Sequence, residues 1–290
     1  MSERTDIASR MTSTQALVSV VMPTFNRAML LPRAVQSVLT QSHANIELLI
    51  ADDGSTDDTR QVVEHVISRD PRVHYCLNRY AKGCAGARNT AVQEANGQYV
   101  AFLDDDDEYC PDKIAADVRT FCANPQADVV VSCVSPAVLS LAAGDCGWVG
   151  AEFHPHRLFA SCTVVCRRTV FEHVRFRANH MEWRDLAFQL YDSGCSVALS
   201  EHNLVRENST LGSLSKHEEA MFRVALANAA EYCESSRERP EHGVFERYLA
   251  NCHKNMGNYW LKRFRPWKAA THFARSYKSG GRIRDAIPFT

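Results

Sequence analysis

The chain has 290 residues, of which 45% are hydrophobic and 23% are charged, and its formal net charge is −1. This composition is ordinary for a soluble globular protein. The near-neutral charge argues against nucleic acid or an anionic membrane as a general partner, so no nucleic-acid partner is expected. The length allows one large domain, or one domain with an appendage.

Cysteine usage and the start of the chain indicate the cellular compartment. Eleven cysteines occur without the paired spacing of a metal site or of a small disulfide-rich domain. Residues 1–16 are polar, lack the apolar core of a signal peptide and are expected to form a loose tail. Together these features predict reduced thiols in a cytoplasmic enzyme.

Strands and helices alternate through the first half of the chain. Apolar, β-rich runs predict four strands, at 17–22, 46–51, 73–76 and 99–103. Helical spacing of apolar residues predicts helices between them, and Ser55 or Thr56 is expected to cap the second helix. This alternation predicts an α/β fold with a doubly wound, mostly parallel sheet. Right-handed crossovers then place the loops after the strands at one edge of the sheet.

The stretch 99–107 joins an apolar strand directly to four carboxylates, Asp104 to Asp107. Ligands of open α/β sheets bind beyond the carboxyl ends of the strands, so these carboxylates should reach the ligand edge. Adjacent carboxylates repel one another and lose solvation when buried. A hard divalent cation relieves both problems, and oxygen ligands suit Mg²⁺ or Mn²⁺ better than zinc. The alternative is a solvated acidic turn.

The second half of the chain is less regular, and it ends in helices. A helix is expected over 114–121, strands over 129–132, 161–166 and 197–199, and a helix after Glu182. From about residue 216 the pattern is wholly helical. We therefore expect an α/β domain over 17–215, with halves 17–110 and 111–215, and a C-terminal α-helical extension over 216–290.

The C-terminal extension mixes basic and aromatic residues between 260 and 284. Such a helical unit can lie at an anionic membrane interface, which predicts a peripheral membrane contact. The alternative is a hairpin whose aromatic side chains pack on the catalytic domain. Residues 255–260 and 269–274 also look like one degenerate tetratricopeptide-type hairpin, although an ordinary helical hairpin explains them equally well.

Four motifs, in order, resemble the family 2 glycosyltransferases of the GT-A fold, which is Rossmann-like. They are Val-Ser-Val-Val-Met-Pro-Thr-Phe-Asn-Arg at 18–27, Ile-Ala-Asp-Asp-Gly-Ser-Thr-Asp at 50–57, Ala-Arg-Asn at 87–89 and the stretch 97–107. The resemblance is close over about residues 17–115 and looser to about 210. It leaves the C-terminal helices unaccounted for.

The resemblance implies a donor site for a nucleotide-sugar. Phe25 is placed to stack on a uracil-type ring, Asp53 to accept a hydrogen bond from the base edge, and Asp105 to face the ribose or the sugar. Asp106, together with Asp104, is the implied ligand of Mn²⁺ or Mg²⁺ within a DXD motif. The implied donor-binding residues are Pro23, Thr24, Phe25, Asn26, Arg27, Asp52, Asp53, Arg88, Asp104 and Asp105.

The resemblance also implies a catalytic base, with two departures from the family pattern. Asp185 fits the acid at the start of a late helix, but the family often has Glu-Asp where this chain has Arg184-Asp185. Glu182 is the nearest other acid and the second candidate. The segment 205–209 resembles one that often carries a histidine, and none occurs here, which puts a late metal or phosphate contact in doubt.

The implied function is inverting, metal-dependent transfer of a sugar from a nucleotide-diphosphate sugar, UDP-linked by expectation. The acceptor is expected to be a sugar, a lipid-linked sugar or another hydroxyl compound, in polysaccharide or glycoconjugate synthesis, at a cytoplasmic site or at the inner face of the membrane. One alternative is an inactive nucleotide-sugar-binding scaffold. The other is a sugar-nucleotide nucleotidyltransferase, which would want a Gly-rich basic loop where 23–27 stands.

Overall fold

The structure, a computed structural model, describes residues 16–132, 161–177, 182–200, 204–206 and 208, together with parts of 218–278. The chain divides into two compact units, with the main boundary between Thr210 and Leu211. The predicted boundary at 215–216 stays a prediction. The predicted tail at 1–15, the segment 133–160 and most of the side chains invoked for a membrane contact lie outside the described residues.

Seven strands form the main sheet of the first unit. They are β1 (Val18–Thr24), β2 (Ile46–Asp52), β3 (Val73–Leu77), β4 (Tyr99–Phe102), β6 (Val129–Ser132), β7 (Val164–Arg167) and β8 (Val197–Ser200). Two further strands, β5 (Glu108–Tyr109) and β9 (Val205–Arg206), form a separate antiparallel pair. The order of strands in the main sheet is β3-β2-β1-β4-β7-β6-β8.

Helices flank the sheet and make up the second unit. The first unit contains α1 (Leu31–Leu39), α2 (Thr59–Ile67), α3 (Cys84–Glu94), α4 (Lys113–Ala123) and α5 (Glu182–Asp192), with 3-10 turns at Ser161–Thr163 and Arg168–Glu172. The second unit contains α6 (Glu218–Ser235) and α7 (Pro266–Lys278). A bilayer-spanning helix would need more length and apolar character than any helix in the described part of the chain has.

The predicted α/β fold with a mostly parallel sheet is confirmed. β1 pairs in parallel with both β2 and β4, β2 pairs in parallel with β3, and β6 pairs in parallel with β8. β7 is antiparallel to β4 and to β6. The parallel register aligns the carboxyl ends of β1, β2 and β4, so the loops that follow them meet at one edge.

Two local expectations differ from the structure. β1 runs through Pro23 to Thr24, since its pairing with β4 ends at Val21 and a proline there interrupts no hydrogen bond to β4. Ser55 does not cap α2, which begins at Thr59. Instead the Ser55 amide and hydroxyl donate to Asp52 Oδ1, at 2.8 and 2.6 Å, in a turn centred on the aspartate.

A buried polar contact anchors the amino end of β4 to β1 and β2. The Gly97 amide donates to Ser19 Oγ at 2.8 Å, and that hydroxyl donates to Glu47 Oε1 at 2.5 Å. The Asn96 amide also donates to Glu47 Oε1, at 2.7 Å. A Cβ atom added at Gly97 would lie 2.6 Å from the Ser19 backbone nitrogen and 2.8 Å from the Leu17 carbonyl oxygen. This close backbone approach requires glycine.

We therefore expect Gly97→Ala to destabilise the sheet. Forced overpacking against backbone costs about 1–3 kcal/mol, which for a domain of this size lowers the Tm by roughly 2–10 °C. Differential scanning calorimetry measures this change. Gln93→Ala, at an exposed position of α3, is the matched control and should leave the Tm unchanged. An unchanged Tm for Gly97→Ala would contradict the role assigned to the contact.

Candidate functional site at the carboxyl edge of the sheet

Asp53 lies at the end of β2, held by the segment that follows β3. Asn78 Nδ2 donates to Asp53 Oδ1 at 2.6 Å, and the Gly83 amide donates to Asp53 Oδ2 at 2.8 Å. Gly83 has a φ of 127°, which glycine adopts without strain. The Asp53 amide donates to the Thr24 carbonyl oxygen at 2.9 Å, so the carboxylate is fixed next to the end of β1.

Asp52 is buried and shapes the turn. Its Oδ1 accepts both bonds from Ser55, and its Oδ2 accepts a bond of 2.8 Å from the Tyr75 hydroxyl. Burial and the neighbouring Asp52 carboxylate raise the pKa of Tyr75 to about 12, which keeps the hydroxyl a donor. The sequence placed Asp52 among the donor-binding residues, whereas in the structure its carboxylate binds Ser55 and Tyr75.

Phe25 is the exposed aromatic side chain of the loop after β1. It is 39% exposed, and Lys82 Nζ lies 4.1 Å from its ring centroid in a cation–π contact. Asn26 has a φ of 54°, and its Oδ1 accepts a bond of 2.7 Å from the Thr56 amide. Pro23 is buried within β1. Phe25 is therefore the member of this loop that is open to stacking, and Lys82 is a neighbour that the sequence did not indicate.

Asp105 is the buried carboxylate of the acidic loop, which we define as residues 103–108. It is 8% exposed, and its Oδ2 accepts a bond of 2.7 Å from the Thr24 hydroxyl. Burial raises the pKa of Asp105 to about 6, although the Thr24 bond and Arg27 act in the opposite direction. The carboxylate thus titrates within two units of neutral pH.

Asp106 is held mainly through its backbone. Its carbonyl oxygen accepts bonds of 3.0 Å from Arg33 Nη2 and from Asn208 Nδ2. Its Oδ2 lies 3.6 Å from Arg27 Nη1, and the side chain is 19% exposed. Asn208 belongs to the segment in which the family resemblance leads one to expect a histidine, and its amide contacts the acidic loop instead.

Arg88 joins the acidic loop to α5. Its buried guanidinium donates from Nη2 to Asp104 Oδ1 at 2.8 Å and from Nη1 to Glu182 Oε2. The guanidinium carbon also lies over the rings of Trp183 and Phe176, 5.1 and 5.6 Å from their centroids. Burial raises the pKa of Glu182 despite the opposing charge of Arg88. Two carboxylates that are 78 residues apart therefore share one cation.

Asp185 lies one turn further along α5, in a different environment. It is fully buried, with Oδ2 accepting a bond of 2.8 Å from Gln189 Nε2 and Oδ1 lying 3.7 Å from Arg177 Nη1. Glu182, by contrast, lies with Arg88 and Asp104. The assignment of Asp185 as the base stays a prediction, and the geometry favours Glu182 because its carboxylate is the one brought to the acidic loop.

The chemistry of the acidic loop fits a hard cation. Asp104, Asp105 and Asp106 offer oxygen atoms alone, the donor set that Mg²⁺ and Mn²⁺ prefer. In the described ranges no three His, Cys, Asp or Glu side chains are grouped as a ready metal site. Each of the three carboxylates is engaged by a protein donor: Arg88, Thr24 or Arg27.

Residues 19–139 match the family model described as glycosyl transferase family 2. The match covers less than half of the chain. It begins inside β1 and extends beyond β6, and thus includes Phe25, Asp53, Arg88 and the acidic loop.

Two curated relatives match about a third of the chain. An Escherichia coli UDP-Glc:alpha-D-GlcNAc-diphosphoundecaprenol beta-1,3-glucosyltransferase, WfgD, is 43% identical over 109 residues, which are 37% of this chain and 42% of the relative. A GalNAc(5)-diNAcBac-PP-undecaprenol beta-1,3-glucosyltransferase of Campylobacter jejuni is 44% identical over 92 residues, 31% of this chain and 30% of the relative. The chain thus matches well under half the length of these relatives.

Solved structures show a similar fold over most of the chain. The mannosyltransferase PcManGT from Pyrobaculum calidifontis, in complex with GDP-Man and Mn²⁺, superposes with a TM-score of 0.64 at 20% identity. The superposition covers 93% of this chain and 77% of that structure. Residues 19–139 are thus similar to the family 2 glycosyltransferases, and the α/β fold of the chain is similar to that of this glycosyltransferase structure.

Proposed function

We propose that the chain is a metal-dependent glycosyltransferase that moves a sugar from a UDP-linked donor to an acceptor hydroxyl, with inversion at the anomeric carbon. The observation that carries the proposal is the convergence of Asp53, the acidic loop and the Arg88–Glu182 pair at one edge of the sheet. These groups come from two loops and two helices, and together they offer what a base, a diphosphate and a reacting sugar require.

The nucleotide and the sugar of the donor have three contacts in this proposal. The base stacks on the exposed face of Phe25 after Lys82 leaves it, and the base edge donates to Asp53. Asp105, whose Oδ2 is oriented by Thr24, accepts a hydroxyl of the ribose or the sugar. A donor therefore lies along the carboxyl ends of β1, β2 and β4.

The leaving group in this proposal is a nucleoside diphosphate. Asp106, with Asp104, would hold Mn²⁺ or Mg²⁺, and the ion would supply positive charge that offsets the charge growing on the leaving oxygen. Arg88, at 2.8 Å from Asp104 Oδ1, holds that carboxylate in place. The metal of the Pyrobaculum mannosyltransferase structure, Mn²⁺, supports this part of the proposal by analogy of fold.

Glu182 is the general base in this proposal, in place of Asp185. It takes the proton from the acceptor hydroxyl while that oxygen attacks the anomeric carbon and the diphosphate leaves. The transition state resembles an oxocarbenium ion, and a single displacement inverts the anomeric centre. Proton NMR of the product reports its anomeric configuration, and a product that retains the donor's configuration contradicts the single displacement.

The acceptor that we propose is a lipid-linked sugar. Both curated relatives named above are described as acting on undecaprenol-linked diphosphate sugars. Such an acceptor places the reaction at the inner face of the membrane, in polysaccharide or glycoconjugate synthesis. A radiolabelled-donor assay with undecaprenyl-diphosphate sugars, followed by extraction into butanol, tests this; label found in water-soluble acceptors alone contradicts it.

A thermal-shift panel tests the donor and the metal together. UDP-, GDP-, TDP- and CMP-linked sugars are compared with and without Mn²⁺. A ligand that binds the folded state raises the Tm. At a concentration of a hundred times Kd it adds about 2.7 kcal/mol to the free energy of unfolding. We expect a Mn²⁺-dependent rise with UDP-sugars, lost in Asp106→Asn and kept in Asp58→Asn, a change at an exposed aspartate.

The outcomes of the panel separate the alternatives. No shift with any donor contradicts the proposal, and an equal shift without Mn²⁺ contradicts its metal part. Donor binding without turnover on any acceptor supports an inactive binding module. Release of pyrophosphate from a nucleoside triphosphate supports a nucleotidyltransferase.

The two acidic residues of α5 are distinguished by their kinetic effects. We expect Glu182→Gln to lower kcat by about 10² to 10⁴, the usual contribution of a general base, with donor affinity nearly unchanged. Asp185→Asn should lower the Tm, since it alters a buried contact with Gln189 and Arg177, and it should change kcat less. Steady-state kinetics and isothermal titration calorimetry measure these effects. A larger loss of kcat in Asp185→Asn than in Glu182→Gln would restore Asp185 as the base.

Asp105 should make folding stability depend on pH. An acid whose native pKa lies above its unfolded pKa loses stability as the pH rises between the two values, here from 3.8 to about 6. The loss amounts to at most about 3 kcal/mol. Asp105→Asn removes this pH-dependent loss of stability. The Tm of the variant should therefore exceed that of the wild type at about pH 7.5 and equal it near pH 4. The variant should also lose donor binding. A variant no more stable than the wild type at the higher pH contradicts the assignment.

A further inference from the structure

The acidic loop is closed at its base by a tyrosine. The chain leaves β4 after Phe102, passes through the carboxylates and reaches Tyr109 in β5. There the Tyr109 hydroxyl donates a bond of 2.5 Å to the Phe102 carbonyl oxygen. The two residues that flank the loop are thereby joined. The Tyr109 amide also donates to Ser37 Oγ at 3.1 Å, which fixes this point against α1.

A buried ion pair lies behind the tyrosine ring. Lys113 Nζ lies 4.7 Å from the Tyr109 ring centroid and 2.7 Å from Asp117 Oδ2. Asp117 Oδ1 accepts a bond of 2.9 Å from the Ser132 hydroxyl in β6. Lys113 and Asp117 are 0% and 1% exposed. Apart from Asp117, the ammonium has no hydrogen-bond acceptor among the residues that the structure describes.

The ion pair is a poor source of stability. Removing two charges from water costs several kcal/mol, and well-packed apolar residues of the same volume are often as stabilising or more so. The pair does orient Tyr109, because the Lys113 ammonium packs against its ring. The Tyr109 hydroxyl in turn holds the end of β4. Tyr109, Lys113 and Asp117 take no part in the donor-site contacts described above.

We infer that Tyr109, backed by Lys113 and Asp117, is a positioning residue that holds the acidic loop in the conformation that receives a divalent cation. Tyr109 itself is not a ligand of the cation. The link to cation binding rests on the proposed function, whereas the closing of the loop does not. The inference can therefore be tested by one measurement that needs no ligand and one that does.

Hydrogen–deuterium exchange is the ligand-free measurement. In the wild type the Leu103 amide donates to the Val21 carbonyl oxygen and the Asp107 amide to the Asp104 carbonyl oxygen, each at 3.1 Å. Tyr109→Phe removes one hydroxyl and keeps the ring. We expect exchange across residues 103–108 to become about three- to tenfold faster, with no change in β1.

Mn²⁺ titration, followed by electron paramagnetic resonance in the presence of UDP, is the second measurement. Tyr109→Phe should weaken Mn²⁺ binding about three- to tenfold. The paired variant Lys113→Met with Asp117→Leu should weaken it in the same direction while leaving the Tm equal or higher. A purely structural role would lower the Tm and leave the affinity unchanged.

Tyr99→Phe is the matched control. Tyr99 is equally buried, 4% exposed, and its hydroxyl accepts a long bond of 3.3 Å from Gln98 Nε2 outside the acidic loop. It should change neither measurement. Unchanged exchange in Tyr109→Phe, or exchange that rises equally in β1, overturns the inference. Faster exchange of the loop in a protein whose wild type binds no Mn²⁺ supports the closing role and contradicts the proposed function instead.

Discussion

The buried guanidinium of Arg88 is the interaction on which the arrangement of the site depends. It pairs with Asp104 of the acidic loop and with Glu182 at the start of α5. Placing these two carboxylates close together would be costly without a cation, because like charges at close range repel and both groups lose solvation. The cation between them removes the repulsion, and the rings of Phe176 and Trp183 keep the cation in place. Removing Arg88 would leave the two carboxylates without the cation that they share.

The parallel sheet supplies the rest of the geometry. β1 is paired on both sides, with β2 and β4, so its register sets the positions of three strand ends at once. Thr24 ends β1 and binds both neighbours, through its carbonyl oxygen to the Asp53 amide and through its hydroxyl to Asp105. Asp53 and Asp105, proposed for the base and for the ribose or sugar, thus follow the strands on either side of β1, which lie two strand separations of about 4.8 Å apart. Loops could vary in sequence without changing this spacing.

The sequence predicted the α/β fold, and it placed Phe25, Asp53 and Asp105 after strand ends, because this information was local. Alternating strand and helix patterns fix the sheet edge, and the motifs around Phe25, Asp53 and Asp105 follow strand ends directly. Long-range contacts were missed. Arg33 and Asn208 bind the Asp106 carbonyl oxygen from 73 and 102 residues away, and no spacing pattern indicates either. The choice between Glu182 and Asp185 depended on the rotation of α5, which apolar periodicity does not determine to within one residue. Ser55 was expected to cap α2, but Asp52 competed for its hydroxyl.

The central claim is that the acidic loop receives a cation and a nucleoside diphosphate at this edge of the sheet. Anomalous diffraction from crystals grown with Mn²⁺ and UDP tests it most directly, because the manganese signal locates the ion without assumptions about the ligand. The account predicts a single strong peak beside the Asp106 carboxylate, with the uracil ring on Phe25 and Lys82 displaced. A peak elsewhere, or UDP density with no manganese at the acidic loop, would contradict it.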